Sequence, residues 1–334
     1  MSAVLYPKGL QMNKDLTGEE ILKVWEGLRN TGGFTQEMHA KELGIAFEVY
    51  KARVSRAMTN RRFIKANGLD LDKPELFTVD KYIPLEFEFK SFITVSDIHV
   101  PCADYDYAML PAAIAKKYMK KGERILVVHG DIFDGGAFSR WEKIVQDPSW
   151  EDERAAGTNL FALWSDTFDQ IIIMPGNHDY RMMKTLEGQA SFGGMVWGMV
   201  DEKNQDLAGM FGRMFSTGKL TTSPVDHCFI DTPQGKYIVA HGTSYSVNPF
   251  IVANEMSHKY ETHVISGHEH HVGMTIDRFG RYYLINDGGL FDKDKFSYVT
   301  LQASKRPVMK NGFTLVKNGY PTVFGPWTNW SEWL

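Results

Sequence analysis

The chain is poor in cysteine and contains no long apolar run. Its two cysteines, Cys102 and Cys228, are too few for a disulfide framework. We therefore expect a reducing, cytoplasmic setting, and the alternative is a single disulfide bridge between them. No apolar run approaches the roughly 20 residues of a membrane span. The first residues lack the basic start and apolar core of a signal peptide, so we expect no membrane partner. The formal net charge of −4 over 334 residues argues neither for nor against a polyanionic partner.

The first 67 residues predict a small all-helical domain. Thr17 followed by Glu20 is a capping box ahead of the first helix. Thr35 predicts the start of a second helix, and a third is predicted over residues 46–58. The side chains expected to face inward are Met38, Ala40, Leu43, Phe47, Tyr50, Val54 and Met58.

The tight turn expected at Gly44 and the basic helix after it resemble a helix-turn-helix unit. Residues 51–65 contain six Lys or Arg and no acid, which indicates contact with DNA or RNA. The alternative is a helical bundle with a solvated basic face, and both interpretations stay open. The candidate nucleic-acid contacts are Lys51, Arg53, Arg56, Arg61 and Arg62.

A linker is predicted over residues 68–84, and a second domain over residues 85–334. Apolar residues alternate with polar ones from Leu85 to Phe89, which predicts a half-buried strand. Strands alternate with helices and then crowd the second half, which predicts an α/β (α+β) fold of two facing sheets flanked by helices. Helices are predicted over 105–120 and 141–167, and further strands over 92–95, 124–128, 171–174, 229–230, 237–240, 264–265 and 282–285.

Five short motifs carry most of the functional information, and each follows an apolar, β-branched run. They place metal-binding side chains at strand ends, where open α/β sheets have their active sites. The motifs are Asp97-Ile98-His99, Gly130-Asp131, Gly176-Asn177-His178-Asp179, His241-Gly242 and Gly267-His268-Glu269-His270. The candidate ligands are Asp97, His99, Asp131, Asn177, His241, His268 and His270.

The donor set predicts two divalent ions. Asp97 and His99 are two residues apart, so in an extended chain their side chains point the same way. The Asp131 carboxylate can bridge two ions about 3.5–4 Å apart. Nitrogen and oxygen donors without thiolate suit manganese first, with iron, zinc, nickel or magnesium as alternatives. Such ions bind phosphoryl oxygens and activate a hydroxide that attacks phosphorus.

His178 is the candidate general acid, because it lies beside a ligand and can protonate the leaving oxygen. Asp179 is the candidate to orient that imidazole, and capping the following helix is the equal alternative. Histidines outside the motifs are expected to be structural, whereas Glu269 and His271 are expected to support the ligands or to face solvent. The structural histidines are His129, His227, His258 and His263.

These motifs, in this order, resemble the calcineurin-like metallophosphoesterase superfamily over roughly residues 90 to 290. The resemblance implies a sandwich of two mixed β-sheets with a dinuclear site at the strand ends, and His178 matches the catalytic histidine. It also implies that Asp131 bridges the two ions. Asp97, His99 and His270 would bind one ion, and Asn177, His241 and His268 the other.

Gly-Asn-His-Asp resembles the DNA-repair nuclease branch of the superfamily. Its protein phosphatases usually have Glu where this chain has Asp179, which disfavours a phosphoprotein substrate. Arg140 and Arg181 are candidate phosphate contacts or plain surface arginines. A helix-turn-helix ahead of such a domain also resembles phage or mobile-element organisation, which would place the protein in a host cytoplasm.

Three functions follow from these observations. The first is a nuclease or phosphodiesterase whose helical domain holds DNA or RNA. The second is a phosphomonoesterase for nucleotides, phosphoproteins or small phosphates, and the third is a DNA-binding or scaffold protein with a structural metal site. Residues 181–220 are expected to form a cap over the site. Trp327, Trp330 and Trp333 are expected to pack onto the domain, with docking of a protein partner as the alternative.

Overall fold

A computed structural model describes most of the chain, which divides into two compact units, Met1–Val79 and Asp80–Leu334. The described residues are 21–23, 25–26, 35–43, 46–66, 83–139, 148–188, 207–215, 217–296 and 309–334. Several predictions therefore fall outside them. These concern the capping box at Thr17, the turn at Gly44, the linker up to residue 82, Arg140, and the side chains of Arg56, Arg61 and Arg62.

The first unit is helical in its described parts and has its own core. Helical residues 21–23 and 25–26 are followed by α1 (Gln36–Glu42) and α2 (Phe47–Ala66). The Thr35 hydroxyl caps α1 by accepting a hydrogen bond from the Met38 N–H at 3.2 Å. The core consists of Ile21, Leu22, Ala40, Tyr50, Val54 and Ala57.

Two residues predicted to face inward are exposed instead. Met58 is 40% exposed and Met38 is 48% exposed. Tyr50, Val54 and Ala57 follow the helical spacing of one face, and Met58 lies about 100° further round the helix. The buried imidazole of His39 bonds the Tyr50 hydroxyl at 2.8 Å and thereby joins α1 to α2.

Twelve strands and seven helices span the described residues of the second unit. The strands are β1 (Leu85–Glu88), β2 (Ser91–Val95), β3 (Ile125–His129), β4 (Gln170–Met174), β5 (Leu220–Thr222), β6 (His227–Thr232), β7 (Gly235–Ala240), β8 (His263–Ser266), β9 (Val272–Ile276), β10 (Tyr283–Asp287), β11 (Phe313–Lys317) and β12 (Tyr320–Phe324). The helices are α3 (Tyr105–Ala108), α4 (Leu110–Tyr118), α5 (Trp150–Ser165), α6 (Asn177–Gly188), α7 (Leu207–Met214), α8 (Ile251–Tyr260) and α9 (Trp330–Trp333).

The strands form two mixed six-stranded sheets. One has the order β1-β6-β7-β8-β10-β9 and the other β12-β11-β2-β3-β4-β5. In the second sheet β2 to β5 run parallel, whereas β11 runs antiparallel to both of its neighbours. In the first sheet β7, β8 and β10 run parallel. The predicted pair of mixed sheets is confirmed.

Successive side chains along each strand point to opposite faces of its sheet, which divides the core into layers. Residues such as Val127 and Ile172 of one sheet pack with Val239 and Ile285 of the other. The opposite faces are covered by helices, with Trp164 of α5 against the second sheet and α8 against the first. The sandwich with helices outside follows from this burial on both faces.

The predicted helices are shorter than the pattern suggested. The helix expected over 105–120 is broken at Met109, because Pro111 has no N–H for the carbonyl four residues earlier. Of the helix expected over 141–167, residues 141–147 lie outside the described residues, and α5 begins at Trp150, where Ser149 and Asp152 form a capping box. Four strands, β5, β9, β11 and β12, were not predicted.

The C-terminal tryptophans divide into two groups. Trp330 stacks on Phe324 with ring centroids 5.6 Å apart, and Trp333 lies edge-on to the same ring at 4.8 Å. Trp327 is 60% exposed, so docking of a partner there stays a prediction. No helix among the described residues is long and apolar enough to cross a membrane.

Candidate metal centre

All seven predicted ligands follow strands whose carboxyl ends meet at one edge of the sandwich. β2 leads to Asp97 and His99, and β3 leads to Asp131. Asn177 begins α6 directly after β4. The other three, His241, His268 and His270, follow β7 and β8 of the facing sheet. Each sheet therefore contributes part of the cluster.

The backbone at five of these positions is left-handed. The φ angles are 50° at Asp97, 52° at His99, 49° at Asp131, 72° at His268 and 55° at His270. Asp97 and His99 thus lie in a turn, not in the extended chain that the sequence suggested. A non-glycine residue in this region costs about 1–3 kcal/mol. Such strain persists where the surrounding fold holds a functional side chain in place.

Two motif glycines allow neighbouring motifs to meet. A side chain at Gly130, which has a φ of 92°, would overlap the His241 ring. A side chain at Gly176 would overlap the Asp131 carboxylate and its backbone nitrogen. Each glycine thus lets one ligand-bearing turn lie against a ligand from another strand.

The first ligand group consists of Asp97, His99 and His270, whose donor atoms lie within 4.8 Å of one another. The Oδ1 atom of Asp97 is 3.0 Å from Nε2 of His270 and 3.8 Å from Nε2 of His99. The other oxygen, Oδ2, accepts the His268 N–H at 2.9 Å. One oxygen is therefore held by the backbone, and the other faces two imidazoles.

The second group consists of Asp131, His241 and His268, with Asn177 beside them. Oδ1 of Asp131 accepts the His178 N–H at 2.8 Å. Oδ2 is 3.3 Å from Nε2 of His241, which is 3.0 Å from Oδ1 of Asn177. Oδ2 also lies 3.9 Å from Nε2 of His99. Asp131 therefore lies between the two groups.

A family model described as Calcineurin-like phosphoesterase matches residues 90–272, more than half of the chain. The chain belongs to the calcineurin-like phosphoesterase family. It is accordingly a metal-dependent phosphoester hydrolase, and its clusters fit the dinuclear divalent site of that family. No curated protein sequence matches the chain significantly.

Solved structures resemble the phosphoesterase only distantly. A Vps29 single mutant from Entamoeba histolytica has 11% identity and a TM-score of 0.35, covering 70% of this chain and 97% of its own. A cold-active protein tyrosine phosphatase mutant has 12% identity and a TM-score of 0.34, with coverages of 75% and 85%. The NAD nucleotidase of Haemophilus influenzae has 9% identity and a TM-score of 0.27, with coverages of 72% and 49%.

The donor set of the phosphoesterase fits cations. Among the described residues, both ring nitrogens of His99 are buried without a hydrogen-bond partner, and Oδ1 of Asp97 has only the His270 imidazole beside it, at 3.0 Å. Although burial lowers it, the neighbouring carboxylates, Asp134 first, raise the pKa of His99 to about 10. The pKa of His241 likewise rises to about 9, because Asp131 and Asp97 outweigh burial. The site thus attracts positive charge, which protons or metal ions can supply.

The candidate general acid, His178, is fixed from one side. Its Nδ1 is 2.6 Å from the carbonyl oxygen of Asp134 and 3.1 Å from Nη1 of Arg181. Nδ1 cannot both donate to the carbonyl oxygen and accept from the guanidinium, and the shorter contact, to the carbonyl oxygen, assigns the proton to Nδ1. Nε2 faces the cluster, 3.9 Å from Oδ2 of Asp131. Burial, aided by the charges of His99 and Arg181, lowers the pKa of His178 to about 4.

The Asp179 carboxylate binds backbone N–H groups. The imidazole of His178 is oriented by the carbonyl oxygen of Asp134. The Asp179 carboxylate accepts N–H groups of Gly176 at 2.8 Å, Phe133 at 3.2 Å and Ile132 at 3.4 Å. Burial and the nearby Asp131 raise the pKa of Asp179. These bonds join the loop after β3 to the turn after β4, which corresponds to the capping alternative.

Two residues at the centre were not predicted from the sequence. Asp134 is partly buried and lies 3.4 Å from Nδ1 of His99. Its position three residues after a ligand in Gly-Asp-Ile-Phe-Asp was an available signal. Ser96 contacts the Asp97 carboxylate and lies 3.0 Å from the carbonyl oxygen of His129, and only the structure shows this.

The histidines outside the motifs have partners elsewhere. His129 lies between the sheets, with Nε2 2.9 Å from Asp287 and Nδ1 3.2 Å from the carbonyl oxygen of Ala240. His227 pairs with Asp226 at 2.8 Å. Since β3 and β7 both end at ligands, the His129 contacts join two ligand-bearing strands.

Proposed function

We propose that this phosphoesterase cleaves phosphodiester bonds in nucleic acid. The observation that carries the chemistry is the pair of ligand groups that meet at Asp131, which belongs to the second group and lies 3.9 Å from His99 of the first. The observation that favours nucleic acid is the basic stretch of α2, with six Lys or Arg and no acid over residues 51–65. A polyanion bound there gains electrostatic free energy through release of its counterions.

In this proposal Asp131 would be a ligand of both divalent ions. The donors of one ion are Asp97, His99 and His270, and those of the other are Asn177, His241 and His268. Manganese is the proposed metal, because nitrogen and oxygen donors without thiolate suit it. When bound, the ions supply Lewis-acid charge to the phosphoryl group and acidify water.

His178 acts as the general acid in the proposed reaction. The Asp134 carbonyl oxygen occupies Nδ1 and leaves Nε2 directed at the cluster, where a leaving oxygen would receive its proton. Negative charge on the bound phosphoester opposes the effect of burial and favours the imidazolium. Arg181, next to the same ring, and Arg140 are proposed phosphate contacts.

The helical unit serves as the proposed nucleic-acid-binding domain. We propose that residues 1–67 form a helix-turn-helix-like domain, joined by a linker over 68–84 to the catalytic domain at 85–334, with a cap over 181–220. The described part of α2 supports this through Lys51, which is exposed on the same basic helix. Both cysteines are free thiols, which supports a reducing, cytoplasmic setting.

Hydrolysis by metal-stripped protein resupplied with manganese tests the chemistry. The substrates are p-nitrophenyl phosphate, bis-p-nitrophenyl phosphate, and single- and double-stranded DNA, with His178→Ala as the control. We expect diester and DNA cleavage that the control loses. Activity on the monoester alone would replace the proposal with a phosphomonoesterase, and no turnover of any substrate would contradict the catalytic role.

Binding of labelled DNA to metal-stripped protein tests the helical unit separately. We expect Arg53→Ala with Arg56→Ala to weaken binding and to reduce the slope of log K against log salt by roughly 0.9 per lost phosphate contact. The matched control is Lys23→Ala with Lys41→Ala, which removes the same charge from other helices of the unit. Equal effects in both variants would contradict a specific role for α2.

A further inference from the structure

The loop over residues 242–250 begins directly after the proposed ligand His241 and is held at its centre. The Ser246 N–H donates to Oε1 of Glu269 at 3.0 Å. The Ser246 carbonyl oxygen accepts from Nε2 of His271 at 3.2 Å. Glu269 and His271 alternate along the chain with His268 and His270, so the segment that bears two ligands also fixes this loop.

The far end of the loop is attached to the same network. The Phe250 N–H donates to Oδ1 of Asn286 at 2.9 Å, and Nδ2 of Asn286 donates to Oε2 of Glu269 at 3.1 Å. Glu269 is only 4% exposed, so its carboxylate makes these hydrogen bonds and does not face solvent. Its two oxygens thus hold the loop at Ser246 and, through Asn286, at Phe250.

Tyr245 is the residue that this arrangement holds at the surface beside His268. It immediately precedes the fixed Ser246, and its ring centroid is 6.2 Å from that of His268 at an interplanar angle of 85°. The side chain is 44% exposed. A tyrosine ring has few rotatable bonds, so an aromatic surface held beside a ligand loses little entropy when a planar group stacks on it.

We propose that Tyr245 is a specificity-determining residue that stacks on a planar ring, nucleobase or aryl, attached to the phosphoryl group. Phosphoryl oxygens bind at the cluster, whereas the ring of the esterifying group lies on the His268 side against Tyr245. Base–aromatic stacking tolerates any base, since every base has a π face. The inference rests on the proposed phosphoester site but is independent of DNA binding by α2.

Calorimetric binding to manganese-loaded protein tests this without turnover. The probes are phenylphosphonate and methylphosphonate, which share the phosphonate head and differ in the ring. We expect Tyr245→Ala to weaken phenylphosphonate binding roughly tenfold and to leave methylphosphonate binding unchanged. Tyr245→Phe keeps the ring and should bind both probes like the natural protein.

Val247→Ala is the matched control, because Val247 is 49% exposed in the same loop. It should change binding of neither probe. Equal weakening of both probes by Tyr245→Ala would assign Tyr245 a structural role at His268 and overturn the proposal, as would no weakening at all. Methylphosphonate binding by the natural protein separates this result from a failure of the metal site itself.

Glu269→Ala tests whether the loop must be held. With manganese content measured in parallel, we expect it to reproduce the loss of preference for phenylphosphonate over methylphosphonate. A retained preference would contradict the role assigned to Glu269 in fixing Tyr245.

Discussion

At the scale of single residues, the two oxygens of each aspartate carboxylate at the centre have different roles. Asp97 and Asp131 each give one oxygen to a backbone N–H from another motif and direct the other oxygen at imidazoles. The residue types and their order were predictable from sequence, because each motif follows a buried strand. The partners that fix them were not predicted: Asp134 offered only its position in Gly-Asp-Ile-Phe-Asp, and Ser96 acts through contacts that the sequence does not reveal.

The general-acid role of His178 predicts a dependence on the leaving group. His178→Ala should lower kcat on diphenyl phosphate by about 10²–10⁴, because phenoxide is a strong base that needs a proton. Bis-p-nitrophenyl phosphate should lose far less, because p-nitrophenoxide leaves without one. Kinetics of both diesters check this, with the exposed His258→Ala as control. An equal loss on both substrates would mean that His178 holds the site instead of donating a proton.

At the scale of helices and strands, the strands made of buried apolar residues were predictable from the sequence. The exposed or short strands were not. β2, β3 and β4 are mostly apolar and almost wholly buried, so their sequence alone indicated strands. β9 contains Gly273 and is largely exposed, and β5 has only three residues, so neither stands out. The β11–β12 hairpin was missed although Asn318-Gly319, a strong hairpin signal, lies between its strands.

The start of β8 predicts a pH-dependent stability. His263 is 7% exposed, and its Nδ1 accepts the Tyr283 N–H at 3.0 Å while Nε2 donates to the Gln234 carbonyl oxygen at 3.1 Å. Burial lowers the pKa of His263. The unfolded chain therefore binds the proton more tightly, and the stabilisation is present above about pH 6.5 and lost as the pH falls below it.

Urea unfolding of the natural protein and His263→Leu between pH 5 and 8 checks this. The variant should lose about 1–3 kcal/mol at pH 7, since the Tyr283 N–H and the Gln234 carbonyl oxygen both lose their partner. The difference between the two proteins should shrink toward pH 5. Other titrating groups are common to both proteins, so a constant difference across this range would contradict the prediction.

At the scale of the whole molecule, the chain combines two units with separate cores. The first is built around Tyr50 and Val54, and the second around two facing sheets. A family assignment was predictable because it depends on five local motifs. The substrate was not, because it depends on surfaces such as the loop at Tyr245 and the basic stretch of α2, whose ligands no motif names.

Removing the first unit, Met1–Val79, should therefore separate catalysis from binding of the nucleic-acid substrate. Residues 80–334 contain every proposed ligand and His178, and a unit with its own core can fold alone. We expect this fragment to keep the kcat/KM of the full chain on bis-p-nitrophenyl phosphate, since that substrate is too small to need a second binding surface. DNA cleavage should weaken most at low salt, because the lost term is electrostatic. Circular dichroism and manganese content confirm that the fragment is folded, and undiminished DNA cleavage by a folded fragment would assign the helical unit a role other than holding substrate.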